Sequence, residues 1–483
     1  MKLALRKVLS NKIVLYMTSR YATYAVSFFV NIFIAACLGP TNYGIWAFLL
    51  LVFHYFNVIE LGIPHAVQVL LVQHKDDKAF SADVEKTGTG LIGLLSLVTL
   101  VVAVVYSLGG ISKAHELQVG YLFYAICFCG LLNYFTNLYD RVYRCKNRLF
   151  ELGFKQTSVV FFMAIAMLLF KGKDLLYGLV FSYVLWCVSS FTVFMTRGGL
   201  DLSGRFRKPM AKTILKKGFF LFLFYSGFSL IILTTRTFIN SSYTIEEFGC
   251  FSFAYLLGHA VYQCVQAFSV VTITKLISRY HSPDRNVVLS TIKIVRENYV
   301  SMFHLIIYLA MIAFPIIVHF VPKYSSALIS MNLCALMMVL YTNAYGYSTY
   351  LVAVNKEKKL AFIAVSSFIL NLALCFVLIR VLHVRYDFVV FSTMLAYFFY
   401  AYMCAHFGHG ELGMSKNFFD VLIDCFPIRL LIPFIIAIAV ALLNIRYLCF
   451  VPIVVFVALN TKTIVSMYGV IKKLIVKPEI VDI

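Results

Sequence analysis

The chain has 483 residues, of which 61% are hydrophobic and only 13% are charged, and its mean hydropathy is +0.88. That is more apolar surface than a soluble core can bury, so the composition excludes a soluble enzyme and predicts a polytopic membrane protein. The net charge of +21 comes from basic residues in loops between apolar segments, where they set the orientation of the protein in the membrane. The sequence contains no soluble basic domain that could bind nucleic acid.

The twelve cysteines lie mostly within apolar runs and lack the spacing of a metal site or of a secreted disulfide framework. We interpret them as small hydrophobic residues of membrane helices. The sequence contains no phosphate-binding glycine loop, zinc motif or nucleophile elbow. We therefore predict no cofactor, no metal and no catalytic residue, and a transporter rather than an enzyme.

In chain order, residues 1–13 are short, basic and amphipathic, which predicts a cytoplasmic interfacial helix. A window of about 20 apolar residues, the length that crosses a bilayer, then indicates about fourteen transmembrane helices in an all-α fold. They lie near residues 14–38, 43–72, 88–108, 119–139, 154–170, 175–195, 217–239, 248–275, 299–321, 326–354, 360–382, 386–407, 428–445 and 448–468.

The distribution of lysine and arginine predicts the orientation of these helices. With the N-terminus and alternate loops assigned to one face, that face carries 32 basic residues and the other carries 7. Cytoplasmic loops are enriched in lysine and arginine. Both termini are therefore predicted to lie in the cytoplasm.

An internal repeat divides the predicted helices into two sets of six. Six residues between Tyr43 and His54 return in the same order between Phe248 and His259, each pair 205 positions apart. Equivalent positions separated by six helices have the same orientation, so the two lobes are predicted to be related by an axis along the membrane normal. The predicted parts are an N-lobe (14–196), a basic linker (197–216), a C-lobe (217–407) and two further helices with a cytoplasmic tail (408–483).

Several short motifs carry a resemblance to a known family. They are the turn LGPTNYGIWAF, the helix break IELGIPHAV, the basic hairpin RVYRCKNR after helix four, the stretch TTRTFINSSYTIEEFGCFSFAY and the segment VNKEKKLAFIAVSSFILNLALCFVLI. Together they resemble the polysaccharide transporter or O-antigen flippase family. That family belongs to the multidrug, oligosaccharidyl-lipid and polysaccharide exporter superfamily.

The resemblance implies a function, a location and partners. Such proteins move an undecaprenyl-diphosphate-linked oligosaccharide, the repeat unit of O-antigen or capsule in lipopolysaccharide or polysaccharide biosynthesis, between leaflets of the bacterial inner membrane by alternating access. The transfer runs from the cytoplasmic to the periplasmic leaflet. The implied partners are the lipid-linked oligosaccharide, membrane lipids, a polysaccharide polymerase and a chain-length regulator, with no nucleic acid.

Two charged side chains of the first helix pair are candidates for the transport site. Arg20 and Glu60 each lie 18 residues from the turn that joins helices one and two, so they sit at similar depth, and Glu60 is the only carboxylate deep in an apolar segment. In the functional interpretation, Arg20 contacts the diphosphate, Glu60 couples the cycle to an ion, and Gly62 and Pro64 form a hinge. In the structural interpretation, Arg20 reaches the headgroups and Glu60 caps the broken helix.

Four other side chains are candidate substrate contacts. His54 and His259 occupy equivalent positions in the two lobes, near the middle of the bilayer, and either contact sugar or phosphate or form interhelical hydrogen bonds. Arg236, near the outer surface, either receives the diphosphate or extends to the headgroups. Tyr24 belongs to an aromatic face that either stacks on sugar or packs between helices.

Four basic residues after helix four, Arg141, Arg144, Lys146 and Arg148, are predicted to flank the inner mouth. They either attract an anionic headgroup or only reflect the enrichment of cytoplasmic loops in basic residues.

Three other functions stay open at this point. A multidrug antiporter has the same architecture but usually needs acidic residues, a lipid II flippase differs only in substrate, and a membrane polysaccharide polymerase needs a larger outer loop than this chain has.

Overall fold

The computed structural model describes residues 12–74, 76–108, 116–197, 199–280, 282 and 284–476. These residues form α-helices, short 3₁₀ and π segments and turns, with no β-strand in the described ranges. The predicted all-α polytopic class is confirmed. The predicted interfacial helix at 1–13 falls almost entirely outside the described residues.

The chain divides into two compact units, residues 1–229 and 230–483, which we call unit 1 and unit 2. Their boundary lies within helix α7. The helices of unit 1 are α1 (Lys12–Ile59), α2 (Ile63–Gln73), α3 (Lys78–Leu108), α4 (Gly120–Cys145), α5 (Leu149–Leu169), α6 (Asp174–Thr196) and the first part of α7 (Lys208–Ser242).

Unit 2 contains the rest of α7 and ten further helices. They are α8 (Ile245–Tyr280), α9 (Arg285–Val295), α10 (Ser301–Phe320), α11 (Leu328–Thr342), α12 (Tyr347–Ala353), α13 (Glu357–Phe376), α14 (Val390–Glu411), α15 (Phe418–Cys425), α16 (Ile428–Leu443) and α17 (Val451–Val476). A π-helical segment, Arg296–Val300, joins α9 to α10. The predicted domain boundaries and the symmetry axis between lobes stay predictions.

Each unit is built around one central helix. In unit 1, α4 contacts α1, α2, α3, α5 and α6, and in unit 2, α11 contacts α8, α10, α14 and α16. Peripheral helices expose apolar side chains, as expected where the surroundings are hydrocarbon and the backbone satisfies its own hydrogen bonds. On the C-terminal half of α3, for example, the following side chains are more than half exposed: Leu94, Leu97, Val98, Val101, Val102 and Val105.

The number of membrane spans differs from the predicted fourteen. By length and composition, ten helices of the described residues can cross a membrane, or up to eleven if the bent pair Phe418–Cys425 and Ile428–Leu443 is one span. Helix α1 enters this count once because helical residues continue on both sides of Gly39, whose φ of 69° and ψ of 171° break it. The multi-pass class is confirmed, and the number fourteen is not.

A second break, predicted from IELGIPHAV, separates α1 from α2. Leu61 and Gly62 have φ of 50° and 70°, and α2 restarts at Ile63 with Pro64 in its first turn. A Cβ on Gly62 would lie 2.2 Å from the carbonyl oxygen of Gly218 on α7. Only glycine combines this backbone conformation with so close an approach of two main chains.

The basic linker is tied to the start of α3 by two carboxylates. Asp83 accepts a hydrogen bond from the main-chain N–H of Arg205 at 2.7 Å and pairs with the Arg207 guanidinium at 2.6 Å. Glu85 accepts from the main-chain N–H of Asp201 at 2.8 Å. These contacts anchor the linker to unit 1.

The substitution Asp83→Asn is expected to loosen this linker. It removes the charge pair with Arg207, which is 62% exposed, so the expected loss is about 1 kcal/mol. That corresponds to a rise of about fivefold in the fraction of molecules whose linker is detached from α3, and in the rate of tryptic cleavage after Arg205 and Arg207. Asp76→Asn, at a nearby exposed position, is the control. Equal cleavage of the two variants would contradict the anchoring role of Asp83.

Candidate functional site

A cavity of about 250 Å³ lies in unit 1 where the break between α1 and α2 faces α4. It is bounded by apolar helices, yet its wall is almost entirely polar. The lining residues are Asn57, Glu60, Pro64, His65, Asn137, Asp140 and Arg141.

Helix α4 supplies half of the polar lining residues from one face. Asn133, Asn137, Asp140 and Arg144 follow one another at spacings of three or four residues, and Arg141 lies four residues after Asn137. Residues three and four apart lie on the same side of a helix, so these side chains form a polar stripe. The stripe faces the end of α1 and the start of α2, because α4 packs against both.

A continuous hydrogen-bond network runs through the cavity wall. Asn57 Oδ1 accepts from Asn133 Nδ2 at 2.8 Å and from Asn137 Nδ2 at 3.1 Å. Asn137 Nδ2 also donates to Glu60 Oε1, and Lys155 Nζ on α5 donates to Asn137 Oδ1 at 2.7 Å. Asn137 therefore joins the Glu60 carboxylate to the Lys155 ammonium.

Two arginines of α4 make further polar contacts around the cavity. Arg144 Nε donates to Asp140 Oδ2 at 2.7 Å. Arg141 donates to Gln68 Oε1 and lies 3.4 Å from His65 Nε2. An arginine has only donors, so His65 Nε2 accepts and its ring proton is on Nδ1.

The cavity lining itself holds one guanidinium, Arg141, and two carboxylates, and further basic groups contact the wall residues from behind. In total, the three basic groups Arg141, Arg144 and Lys155 accompany the two carboxylates. Glu60, Asp140 and Lys155 are each less than 10% exposed. Buried charges persist when they are paired or hydrogen-bonded, as these are. Chemically, the site can hold an anionic polar group and can exchange an ion at a carboxylate.

The structure places the predicted ion-coupling and hinge residues at this cavity. Glu60 is buried in its wall, Pro64 also lines it, and Gly62 lies at the break between them. A second buried carboxylate accompanies Glu60, namely Asp140 of α4, which lies one residue beyond the predicted helix 119–139. The Arg20 side chain lies outside the described part of the structure, so its pairing with Glu60 stays a prediction.

The four predicted inner-mouth residues divide into two groups. Arg141 lines the cavity and Arg144 pairs with its Asp140. Lys146 instead pairs with Glu85 at 2.6 Å and donates to the Gly199 carbonyl at 2.7 Å, and Arg148 lies 3.6 Å from Glu151. Lys146 and Arg148 therefore have structural contacts away from the cavity.

The other side chains predicted to contact substrate do not line the unit 1 cavity. Tyr24 is half-buried on α1, and His54 is exposed on the same helix with Nδ1 2.6 Å from the Leu50 carbonyl. In unit 2, His259 stacks on Tyr255 with ring centroids 5.4 Å apart. The buried guanidinium of Arg236 lies 5.2 Å from the same Tyr255 ring.

These contacts form a second cluster in unit 2. His259 and Arg236 are brought together around Tyr255, and the Arg236 guanidinium also lies 5.9 Å from the centre of the Phe248 ring. The role of this cluster in substrate contact stays a prediction.

Sequence reasoning missed Asn57, Asn133, Asn137, Asp140 and Lys155. The signal was the stripe on helix four, whose polar residues recur at helical spacing within and just beyond the apolar window. Lys155 lies at the edge of the predicted helix 154–170, where a basic residue indicates orientation rather than a site. Its burial depends on packing between α4 and α5.

Comparison with solved structures confirms the fold. An inward-facing multidrug resistance MATE family transporter of the MOP superfamily matches with a TM-score of 0.63 and 13% identity, covering 82% of this chain and 98% of that one. The lipid II flippase MurJ in an inward closed conformation matches with a TM-score of 0.67 and 12% identity, covering 94% and 99%. At these identities, the likeness concerns the fold alone.

Comparison at the sequence level identifies the family. Comparison with curated proteins found no match. The family model described as "Polysaccharide biosynthesis protein" matches residues 9–281, more than half of the chain. The match includes the whole of the unit 1 cavity. The chain therefore belongs to the polysaccharide biosynthesis protein family, within the transporter fold shared by MATE proteins and MurJ.

Proposed function

We propose that this protein is a flippase for an undecaprenyl-diphosphate-linked oligosaccharide, the repeat unit of an O-antigen or capsule. It moves this lipid from the cytoplasmic to the periplasmic leaflet of a bacterial inner membrane by alternating access. The observation that carries the proposal is the polar cavity of unit 1 inside a bundle of apolar helices, with Arg141 in its wall and Arg144 and Lys155 bound to wall residues from behind.

The chemistry of the substrate explains why such a cavity is needed. A diphosphate with sugars attached is anionic and strongly hydrated, and about 30 Å of hydrocarbon opposes its passage. Arginine binds phosphate oxygens through a planar fork of donors. Arg141 lines the cavity, and the amide nitrogen of Asn57 in the same wall can donate hydrogen bonds to sugar hydroxyls.

Glu60 is the proposed coupling group. Its carboxylate accepts a hydrogen bond from Asn137, which in turn accepts from Lys155. Loss of the negative charge on Glu60 weakens this chain of contacts at the break between α1 and α2. Ion uptake at Glu60 thereby biases the conformation of the hinge formed by Gly62 and Pro64.

Transport of lipid II is the second candidate, because the lipid II flippase MurJ has the same fold. That substrate presents the same diphosphate chemistry. Deletion of the gene, followed by measurement of which lipid-linked sugar accumulates on the cytoplasmic side, distinguishes the two flippase substrates.

The substitution Arg141→Gln tests the site. It removes a cavity cation while keeping hydrogen-bonding capacity, so we expect export of the surface polysaccharide to fall by about tenfold or more, with normal protein level. Arg148→Gln, which affects only a partly exposed pair with Glu151, is the matched control and is expected to export normally. Equal export by both variants would remove Arg141 from the proposed mechanism.

A further inference from the structure

Unit 2 contains a larger cavity, of about 460 Å³, that the proposed transport function does not use. It forms where α9, the π segment, α12, α15 and α16 meet. Its lining residues are Leu289, Ile292, Lys293, Arg296, Glu297, Val300, Asn343, Tyr347, Met414, Asp424, Pro427, Arg429 and Leu430.

A buried arginine forms one wall of this cavity. Arg296 is 7% exposed, and its guanidinium lies 5.0 Å from the centre of the Tyr347 ring. It donates to the Asn343 carbonyl at 3.2 Å and to the Asp424 carbonyl. The π segment that carries Arg296 thus places a fixed positive charge inside unit 2.

Two further cations and two carboxylates complete the charged wall. Arg429 donates to Thr463 Oγ1 at 2.8 Å and lies 3.6 Å from Glu297, and Lys293 is exposed at the rim. The three basic lining residues outnumber the two acidic ones by one. The wall therefore matches a ligand with a single negative charge.

One polar atom at the cavity lacks a partner. Asn343 is 2% exposed, its amide nitrogen donates to the Val339 carbonyl at 3.1 Å, and its Oδ1 accepts no hydrogen bond from the described residues. A buried acceptor without a donor costs about 1 to 3 kcal/mol. A ligand hydroxyl that reaches it removes this cost.

Helix α15 places an apolar surface beside the cavity. Phe418, Phe419 and Ile423 are 55%, 65% and 53% exposed, whereas Asp424 on the other side lines the cavity. The helix is bent by 71° from α16. A short helix with exposed aromatic and aliphatic side chains next to basic groups is typical of a segment that lies at the membrane interface.

We propose that this cavity binds the headgroup of an anionic phospholipid, with phosphatidylglycerol as the ligand. Lys293, Arg296 and Arg429 contact the single phosphodiester charge. A glycerol hydroxyl donates to Asn343 Oδ1, and the acyl chains lie along the exposed side of α15.

The bound lipid stabilises the contacts that hold α15 to the rest of unit 2. Asp424 accepts hydrogen bonds from the Tyr347 hydroxyl and from His409 Nε2, the latter at 3.1 Å. Tyr347 begins α12, directly after Gly346, whose φ is 94°. The site therefore connects the membrane interface to a break between α11 and α12. It stands independently of the substrate proposed above, whose diphosphate carries more than one charge.

Native mass spectrometry of the full-length protein in neutral detergent tests the proposal. We expect phosphatidylglycerol to bind about tenfold more tightly than phosphatidylcholine, and the double variant Lys293→Gln/Arg429→Gln to lose that preference. Millimolar inorganic phosphate is expected not to displace the lipid, because it lacks acyl chains. The charge-preserving variant Lys293→Arg/Arg429→Lys is expected to retain the preference.

The matched control is Lys358→Gln, an exposed lysine outside the cavity, which is expected to bind as the wild type does. If the double variant does not fold, as judged by thermal unfolding without lipid, the single variant Lys293→Gln carries the same comparison. Unchanged phosphatidylglycerol binding in the cavity variants would overturn the proposal. Displacement by inorganic phosphate, or tighter binding of a polyprenyl diphosphate than of phosphatidylglycerol, would overturn it as well.

Discussion

Replacing Lys155 by methionine is expected to destabilise unit 1 by about 3 to 5 kcal/mol, the usual effect of removing one partner from a buried charge network. Lys155 is 8% exposed, donates to Asn137 at 2.7 Å and interacts electrostatically with the carboxylates of Glu60 and Asp140. Methionine fills the space but leaves both carboxylates without this cation. The measurement is the free energy of unfolding of the purified protein in detergent.

The rescue of this variant separates charge from packing. Adding Glu60→Gln to Lys155→Met removes one of the uncompensated charges, so the double variant is expected to recover part of the lost stability. Lys171→Met, at an exposed position, is the control and is expected to change stability by less than about 0.5 kcal/mol. If Lys155→Met and Lys171→Met have equal stability, the buried network does not stabilise unit 1.

The second large effect is expected from Glu60→Gln alone. The amide oxygen of glutamine still accepts the hydrogen bond from Asn137, so the protein is expected to fold. The glutamine side chain, however, cannot take up a proton or bind a cation as the carboxylate does. We therefore expect polysaccharide export to fall by about tenfold or more, and the remaining export to be insensitive to external pH.

A carboxylate on the other unit provides the comparison. Glu246 lies in the exposed first turn of α8. The variant Glu246→Gln is expected to keep both the export rate and the pH response of the wild type. If Glu60→Gln also keeps both, Glu60 does not couple transport to an ion. Its role would then be limited to the structure of the break at Gly62.

Part of this architecture could be predicted from the sequence because membrane helices leave a strong local signal. Long apolar runs predict helices that need no partner to satisfy their main chains. Gly39, Gly62 and Pro64 predict breaks because their backbone preferences are local. Both breaks were found at the expected positions.

The partners of Glu60 could not be predicted in the same way. Asn137 and Lys155 lie 77 and 95 positions further along the chain, and they meet Glu60 only because α4 packs against α1 and α5. The pattern on helix four indicates that one face is polar, but not which helix covers it. The predicted number of spans is not confirmed, and part of the difference lies in α1, which a hydropathy window divides at Gly39 where helical residues continue on both sides.

Translocation of a purified lipid-linked oligosaccharide in vesicles tests the central proposal most directly. The sugar facing outward is measured by its accessibility to an external lectin, in vesicles that contain the wild-type protein, the Arg141→Gln variant or no protein. We predict that the wild type makes the inward-facing half of the sugar accessible and that Arg141→Gln does so at least about tenfold more slowly. Equal rates in wild-type and protein-free vesicles would contradict the proposed function.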